Sequence, residues 1–293
     1  MSEASTTRHP AADGTDAAAM PVFATERRVL GLPASSWPAI IAPVAIGLIA
    51  LAAWELIVWA RGIPPYVLPG PIAIGQTLVS DWPSLSTALW VTLKIALAAL
   101  MGAVLVGVLL SVLFTQSKWL EMSLFPYAVV LQVTPIVAIA PLILIYIDST
   151  TAALLICAWI VAFFPILSNT VIGLRSADHN LRDLFTLYRA SPWQRLRRLL
   201  IPSALPYFIA GLKVAGGLSL IGAVVAEFAA GSAGKETGLA SRILESSFRT
   251  EIPKMFAALV LVSLTGIAIY FLFNWVARLA LGKWHESEMK GDR

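Results

Sequence analysis

The chain of 293 residues is 58% hydrophobic and only 13% charged, with a mean hydropathy of +0.80; a soluble domain carries about a quarter charged residues, so a water-soluble globule is excluded. Its 18 Pro and 19 Gly are scattered through apolar stretches and not gathered in a tail, which excludes a collagen-like or disordered chain. The net charge of +4, from 21 Lys+Arg against 17 Asp+Glu, belongs to membrane topology and not to nucleic acid, as the positions of those charges show below.

The first 38 residues contain Asp13, Asp16 and Glu26, lack a basic leader region, and are long for a stretch preceding a signal-peptide core. They read as a cytoplasmic arm without fixed structure, and residues 286–293 as a short tail. Crossing a bilayer takes about 20 apolar helical residues. Charge-free runs of that order occur at 29–54, 95–117, 122–147, 149–174 and 255–277, and residues 203–230 are apolar apart from Lys213 and Glu227. The pattern predicts an all-α polytopic membrane protein with six spans, at 39–60, 91–114, 122–146, 150–171, 204–230 and 255–282. Residues 63–80 are also uncharged, but Pro64, Pro65, Pro69, Gly70 and Pro71 break them too often for a span, so they read as a lip at the interface.

Six spans place both termini on one side, and the Lys/Arg bias selects it. With the N-terminus inside, fourteen basic residues are internal: Arg8, Arg27, Arg28, Lys118, Arg175, Arg182, Arg189, Arg195, Arg197, Arg198, Arg278, Lys283, Lys290 and Arg293. Five are external, namely Arg61, Lys235, Arg242, Arg249 and Lys254. Both ends are therefore expected to be cytoplasmic.

Six of the fourteen fall in one internal loop, 175–203, which is far longer than an ordinary helix connection. Leu181, Leu184, Phe185 and Tyr188 recur at helical spacing, with Asp178 or Asn180 as N-cap. Ser191, Pro192 and Gln194 then supply an N-cap, a proline at the first helical position and a capping-box partner. A second helix with Trp193, Leu196 and Leu200 on its apolar side is predicted to end at Pro202 and Pro206. Composition leaves two roles open for this hairpin: a rest on anionic headgroups, or a docking element for a cytoplasmic partner.

Asp183-Leu184-Phe185, Arg189 and Leu199-Leu200-Ile201-Pro202 keep the full spacing of a Glu-Ala-Ala, x3, Gly, x9, Ile-x-Leu-Pro pattern. The segment resembles the EAA loop of binding-protein-dependent ABC transporter permeases. It departs from that pattern in Asp183 for Glu, in larger residues at 184 and 185, and in Arg189 for glycine, which removes the residue most tolerant of positive φ. Ala190 to Gln194, Leu205-Pro206-Tyr207, Gly211-Leu212-Lys213, Gly222 to Phe228 and Leu68-Pro69-Gly70-Pro71 extend the likeness. Over about residues 40–285 the chain is similar to the permeases of nitrate, sulfonate, taurine, riboflavin and pyrimidine-precursor importers.

The resemblance implies a MetI-like permease fold in a bacterial inner membrane, and a foot that couples transport to two separate ATP-binding subunits. It implies Asp183, Leu184, Phe185, Arg189, Ser191 and Trp193 as ATPase contacts, with Leu199, Ile201 and Pro202 as the joint to span five. Neither G-x-x-x-x-G-K-[ST] nor G-x-G-x-x-G occurs in the sequence, so ATP and Mg are expected in the partner ATPase, and no cofactor in this chain. With only one EAA segment, a second permease copy, most simply identical, is expected to complete the transporter. A periplasmic or lipid-anchored solute-binding protein is the remaining partner, and the mixed charges of 231–254 suit either its docking or internal pairing.

Polar and helix-breaking residues within spans are pathway candidates, because an unsatisfied group facing lipid is costly. Span three carries Gln132, Thr134 and Pro135 beside Pro126 and Pro141; span five carries Gly216, Gly217, Ser219 and Glu227. The glycines equally suit close helix packing, and Glu227 suits either an outer gate or an ion pair with Lys235 or Arg242. Lys94 and Lys213 read as snorkelling residues and Glu55 as an interfacial anchor. Cys157 stands alone, and His9, His179 and His285 are too dispersed for a metal. The other classes the composition admits are an ion-coupled secondary transporter or channel, against which stand the lack of inverted halves and the few titratable groups in the spans, and a membrane-embedded enzyme, which no His/Asp/Glu cluster within the spans supports.

Overall fold

The computed structural model describes residues 28–29, 32–33, 37–231 and 237–282. The expected tail 286–293 and most of the expected arm 1–38 lie outside the described residues. The chain divides into two compact units, residues 1–53 and 54–293. In the first, β1 (Arg28–Val29) pairs antiparallel with β2 (Leu32–Pro33), and α1 (Trp37–Ala60) begins. The α1 side chains from 41 to 53 are almost all exposed, as suits an apolar helix whose solvent is lipid.

The second unit contains the other helices. α2 (Pro71–Ser80) is a short helix within the segment expected to form the lip. α3 (Trp82–Gln116) starts nine residues before the expected 91. Its first turns escape a hydropathy count because Ser84, Ser86 and Thr87 interrupt the apolar run there, and 35 residues at about 1.5 Å each exceed the roughly 30 Å core. They are nonetheless helical, since Leu85 and Ala88 are buried while the Ser86 and Thr87 hydroxyls donate to the Pro83 carbonyl.

The expected third span is not one helix. α4 (Lys118–Val133) and α5 (Ile136–Tyr146) meet at 102° across Thr134 and Pro135. Pro135 has no N–H and forces the residue before it out of the helical region, and Thr134 accordingly takes φ −71°, ψ 123°. α6 (Thr150–Arg175) follows the Ser149 cap, whose hydroxyl accepts from the Ala152 N–H.

α7 (His179–Leu187) and α8 (Pro192–Arg195) form the loop between spans four and five. The second helix does not end at Pro202 and Pro206 as expected. It runs through a π-turn at Leu196–Leu200 into α9 (Ile201–Ala230), giving one continuous 39-residue rod. An unbroken α-helical register would press the Pro202 ring against the carbonyl four residues back; the wider turn, in which the Ile201 N–H donates to the Leu196 carbonyl, removes that clash. Pro206 is accommodated inside α9. α10 (Leu239–Phe248) and α11 (Ile252–Leu281) complete the unit. Among the described residues five helices are long and apolar enough to cross a membrane, and a sixth crossing exists if the bent pair counts as one span.

α6 is the centre, packed against α3 and α9. Ala96, Ala99 and Ala103 of α3, Ala158 and Ala162 of α6, and Ala215, Ala223 and Ala226 of α9 share the main core, because small side chains let backbones approach where lipid supplies no hydrophobic drive. At Gly222 two helix backbones come close: a Cβ there would stand 2.8 Å from the Ala158 Cα. The buried Ser111 hydroxyl lies between α3 and α6, within hydrogen-bond distance of the Gly107 and Leu167 carbonyls at 2.6 and 3.1 Å.

Candidate functional site: the foot and the broken span

Two separate end clusters hold the short helices. At one end, Leu174, Ala177, Leu196, Leu199, Leu200 and Ala204 form a buried apolar knot with Val112 and Phe185 against it. The hairpin is thus bolted to the ends of α3 and α6. Asp178 accepts the Asn180 and Leu181 N–H groups at 2.7 and 3.3 Å and starts α7. Ser191 and Gln194 form the complete capping box that starts α8, with 3.2 and 2.9 Å bonds.

The turn between the two helices is made in spite of its sequence. Arg189 takes φ +49°, the Ala190 N–H donates to the Phe185 carbonyl and the Arg189 N–H to that of Thr186. These are the two bonds of a Schellman motif. The structure therefore keeps the glycine-type turn with an arginine in the left-handed position.

The expected coupling residues divide into two groups. Asp183, Leu184, Arg189, Ser191 and Trp193 are exposed, Ile201 is 46% exposed, and Leu199 is buried in the knot, with Phe185 and Pro202 intermediate. Leu184, Leu187 and Tyr188, on one face of α7, and Trp193 of α8 leave a row of large apolar groups uncovered. An amphipathic helix that exposes its apolar face, while anchored from behind, is built to meet another surface.

The pathway candidates divide likewise. Gln132 and Pro135 are exposed at the break between α4 and α5, with Thr134 half-buried beside them; the Thr134 hydroxyl donates to the Val130 carbonyl at 2.6 Å. α5 packs on α9. On α9 itself, Gly217 has nothing within 4 Å of where a Cβ would stand, whereas a Cβ on Gly216 would overlap the Phe273 ring. Ser219 is buried and donates to the Gly216 carbonyl at 2.9 Å.

Glu227 is fully buried near the opposite end of the bundle. It makes no ion pair with Arg242, which pairs with Glu245 at 2.8 Å; Lys235 lies outside the described residues. Its Oε2 accepts the Ala240 N–H at 2.9 Å, while the Thr92 hydroxyl of α3 accepts that of Leu239 at 2.9 Å. α10 starts at Gly238, which has no side chain to cap it, so two long helices supply the acceptors for its first turn. Gly238 is required, because a Cβ there would overlap the Glu227 carboxylate. Glu55, expected only as an interfacial anchor, does the same for α2: its Oε2 accepts the Ile72 N–H at 3.1 Å, behind Gly70. Sequence reasoning missed both caps. The available signal was a glycine in place of Ser, Thr, Asp or Asn before an apolar helix.

In the segment after α9, the described charges pair with one another and with Asp81 before α3. Glu245 takes Arg242 and Arg249, each at 2.8 Å, and Lys254 lies 3.6 Å from Asp81.

Several apolar membrane-crossing helices, a broken span and an anchored foot with an uncovered apolar face define a polytopic membrane protein of the transport class. The family of binding-protein-dependent transport system inner membrane components matches residues 103–281. The chain is 33% identical over 273 residues to the riboflavin transport system permease protein RibX of Chloroflexus aurantiacus, covering 92% of this chain and 98% of that protein. It is 33% identical over 226 residues to the formylaminopyrimidine transport permease protein ThiX of Halalkalibacterium halodurans, 77% of this chain and 88% of that one. An inward-facing structure of the MetNI methionine ABC transporter superposes with a TM-score of 0.58 at 16% identity, over 67% of this chain and 95% of that chain. The chain belongs to the binding-protein-dependent ABC importer permease family, and its helical fold is MetI-like.

Proposed function

We propose that this chain is the pathway-forming subunit of an importer for a nitrogen heterocycle of the riboflavin or pyrimidine type, driven by ATP hydrolysis on two copies of a partner subunit. The observation that carries the coupling is the foot: residues 179–195 present Leu184, Leu187, Tyr188 and Trp193 outward while Leu196, Leu199 and Leu200 are locked behind them. Because α8 continues through the π-turn into α9, a push on the foot is delivered along a span without a hinge at Pro202. The partner would approach from the cytoplasm and use ATP with Mg, a second copy of this chain would complete the pathway, and a solute-binding protein would deliver the cargo at the opposite end. The pathway in this reading runs past Gln132, Thr134 and Pro135 and along the Gly217 face of α9. The substrate class rests on the two relatives at 33% identity.

The test is uptake into proteoliposomes holding this chain with its ATPase partner, supplied with a solute-binding protein loaded with riboflavin or a formylated aminopyrimidine. Uptake that requires both ATP and the binding protein supports the reading. Uptake driven by an ion gradient without nucleotide overturns it.

A further inference from the structure

At the end of the bundle that carries the foot, two cavities adjoin. One, of about 370 Å³, is lined by Thr115, Gln116, Arg175, Arg182 and Arg195 among others. The second, of about 600 Å³, is lined by Phe114, Met122, Phe125 and Pro126, with Lys118 and Glu121 at its rim. Thr115 and Arg175 line both. These volumes are those of ordinary small-ligand sites, about 300–1,000 Å³.

The first cavity has an excess of positive charge held in place by the fold. Arg182 donates through Nη2 to the carbonyls of Arg175 and Leu174, at 2.7 and 3.3 Å, which pins its guanidinium to the end of α6. The Nε–H groups of Arg182 and Arg195 are buried and find no acceptor among the described residues. Glu121 is the one carboxylate lining either cavity, and it engages Arg175. Buried guanidinium donors without an acceptor are costly, and their planar fork matches the oxygens of a phosphate. Basic pockets between helices at the ends of membrane spans suit lipid headgroups. A free phosphate would use only the basic cavity. The apolar one beside it, walled by two phenylalanines, has the chemistry of an acyl chain.

We propose that Arg175, Arg182 and Arg195 hold the phosphodiester of one anionic phospholipid, whose acyl chain lies along Phe114, Met122, Phe125 and Pro126. The lipid would join the start of α4 to the foot, so the broken span and the lever would share a membrane component as well as protein contacts. This goes beyond the transport reading and does not depend on the substrate.

The experiment is native mass spectrometry of the purified, delipidated complex with added phosphatidylglycerol or phosphatidylcholine, checked by thermal unfolding. One phosphatidylglycerol per copy of this chain is expected to survive activation, and phosphatidylcholine not. The double variant Arg175→Gln/Arg195→Gln should weaken retention on the order of tenfold or more, the loss of at least one charge-assisted hydrogen bond, while Arg197→Gln/Arg198→Gln, outside the cavity, should retain the lipid. Met122→Trp should expel the lipid by filling the apolar cavity without touching an arginine, which keeps the test decisive should the arginine variant unfold. Equal retention of both lipids, equal loss in both arginine pairs, binding of inorganic phosphate without lipid, or displacement of the lipid by the ATPase subunit would each overturn the proposal.

Discussion

Glu227 accepts the Ala240 N–H at 2.9 Å from a fully buried position, with Gly238 against its carboxylate. The carboxyl group is there because α10 begins in a place where no side chain of its own can satisfy its first turn. Its free amides need acceptors, and a carboxyl oxygen on the last turns of α9 provides one. Glu55 and Gly70 repeat the arrangement at α2. Both short helices pack in one cluster, with Ile74 of α2 and Leu239 of α10 joined to Ala257, Ala258 and Leu261 of α11. The two carboxylates therefore fix the connecting helices to the ends of the long ones.

From this arrangement Glu227→Ala should lower stability by about 1–3 kcal/mol, the cost of a buried N–H left without its partner. Glu227→Gln keeps an acceptor oxygen and should recover part of the loss. Gly238→Ala should behave like Glu227→Ala, because its methyl group displaces the carboxylate. Thermal unfolding of the detergent-solubilised protein measures all three. If Glu227→Ala kept its unfolding temperature and lost only uptake, gating and not capping would be its role.

The spans were legible because twenty or more apolar residues admit one structure in lipid, and the caps of α7 and α8 because Asp178, Ser191 and Gln194 act within three residues of themselves. What escaped the sequence depends on distant partners or on register. The 102° break needed the orientation of α5 on α9 as well as Pro135. The passage through Pro202 needed one π-turn, which no residue type announces. Glu227 and Thr92 lie 13 and 147 residues from the amides they accept, and no local pattern links them. Arg189 lacks glycine's freedom at positive φ, yet the turn forms, since two backbone bonds and the packing of Phe185 hold it.

That turn carries a measurable strain. A non-glycine residue at positive φ costs of order 1 kcal/mol or more, partly offset by the greater unfolded-state freedom of glycine. Arg189→Gly should raise stability by about 0.5–1 kcal/mol, and Arg189→Val, whose branched Cβ suits this region least, should lower it. Thr250, at φ +61° after α10, closes an equivalent pair of bonds from Thr250 to Ser247 and from Glu251 to Ser246, and Thr250→Gly should show the same sign. Unfolding curves of the single and double replacements should add, since the two turns lie at opposite ends of the bundle.

Glycines in α9 separate packing from pathway. Gly222→Val places a branched side chain where the Ala158 backbone already stands 2.8 Å from a Cβ, and overpacking of that kind costs about 1–3 kcal/mol. Gly217→Ala meets nothing within 4 Å and should leave unfolding unchanged or slightly raised, alanine being the better helix former. If Gly217 lines the passage, larger replacements should reduce uptake while the unfolding temperature stays the same. A fall in both would return Gly217 to packing, against a second copy of the chain.

The foot makes the sharpest division between folding and partner binding. Leu184 is 45% exposed and Leu199 5%, although both belong to the same loop motif. Leu199→Ala removes a side chain from the apolar knot and should destabilise by about 2–5 kcal/mol, with loss of ATPase recovery only as a consequence of unfolding. Leu184→Asp and Asp183→Arg alter the outward surface, where changes usually cost under about 0.5 kcal/mol. They should leave the unfolding temperature in place while reducing co-purification of the ATPase subunit. Trp193→Ala, which removes a 65% exposed indole, should act in the same direction, because large aromatic groups dominate interface energies. Full ATPase recovery from Leu184→Asp, Asp183→Arg and Trp193→Ala together would mean that the exposed row of α7 and α8 meets lipid and not the motor.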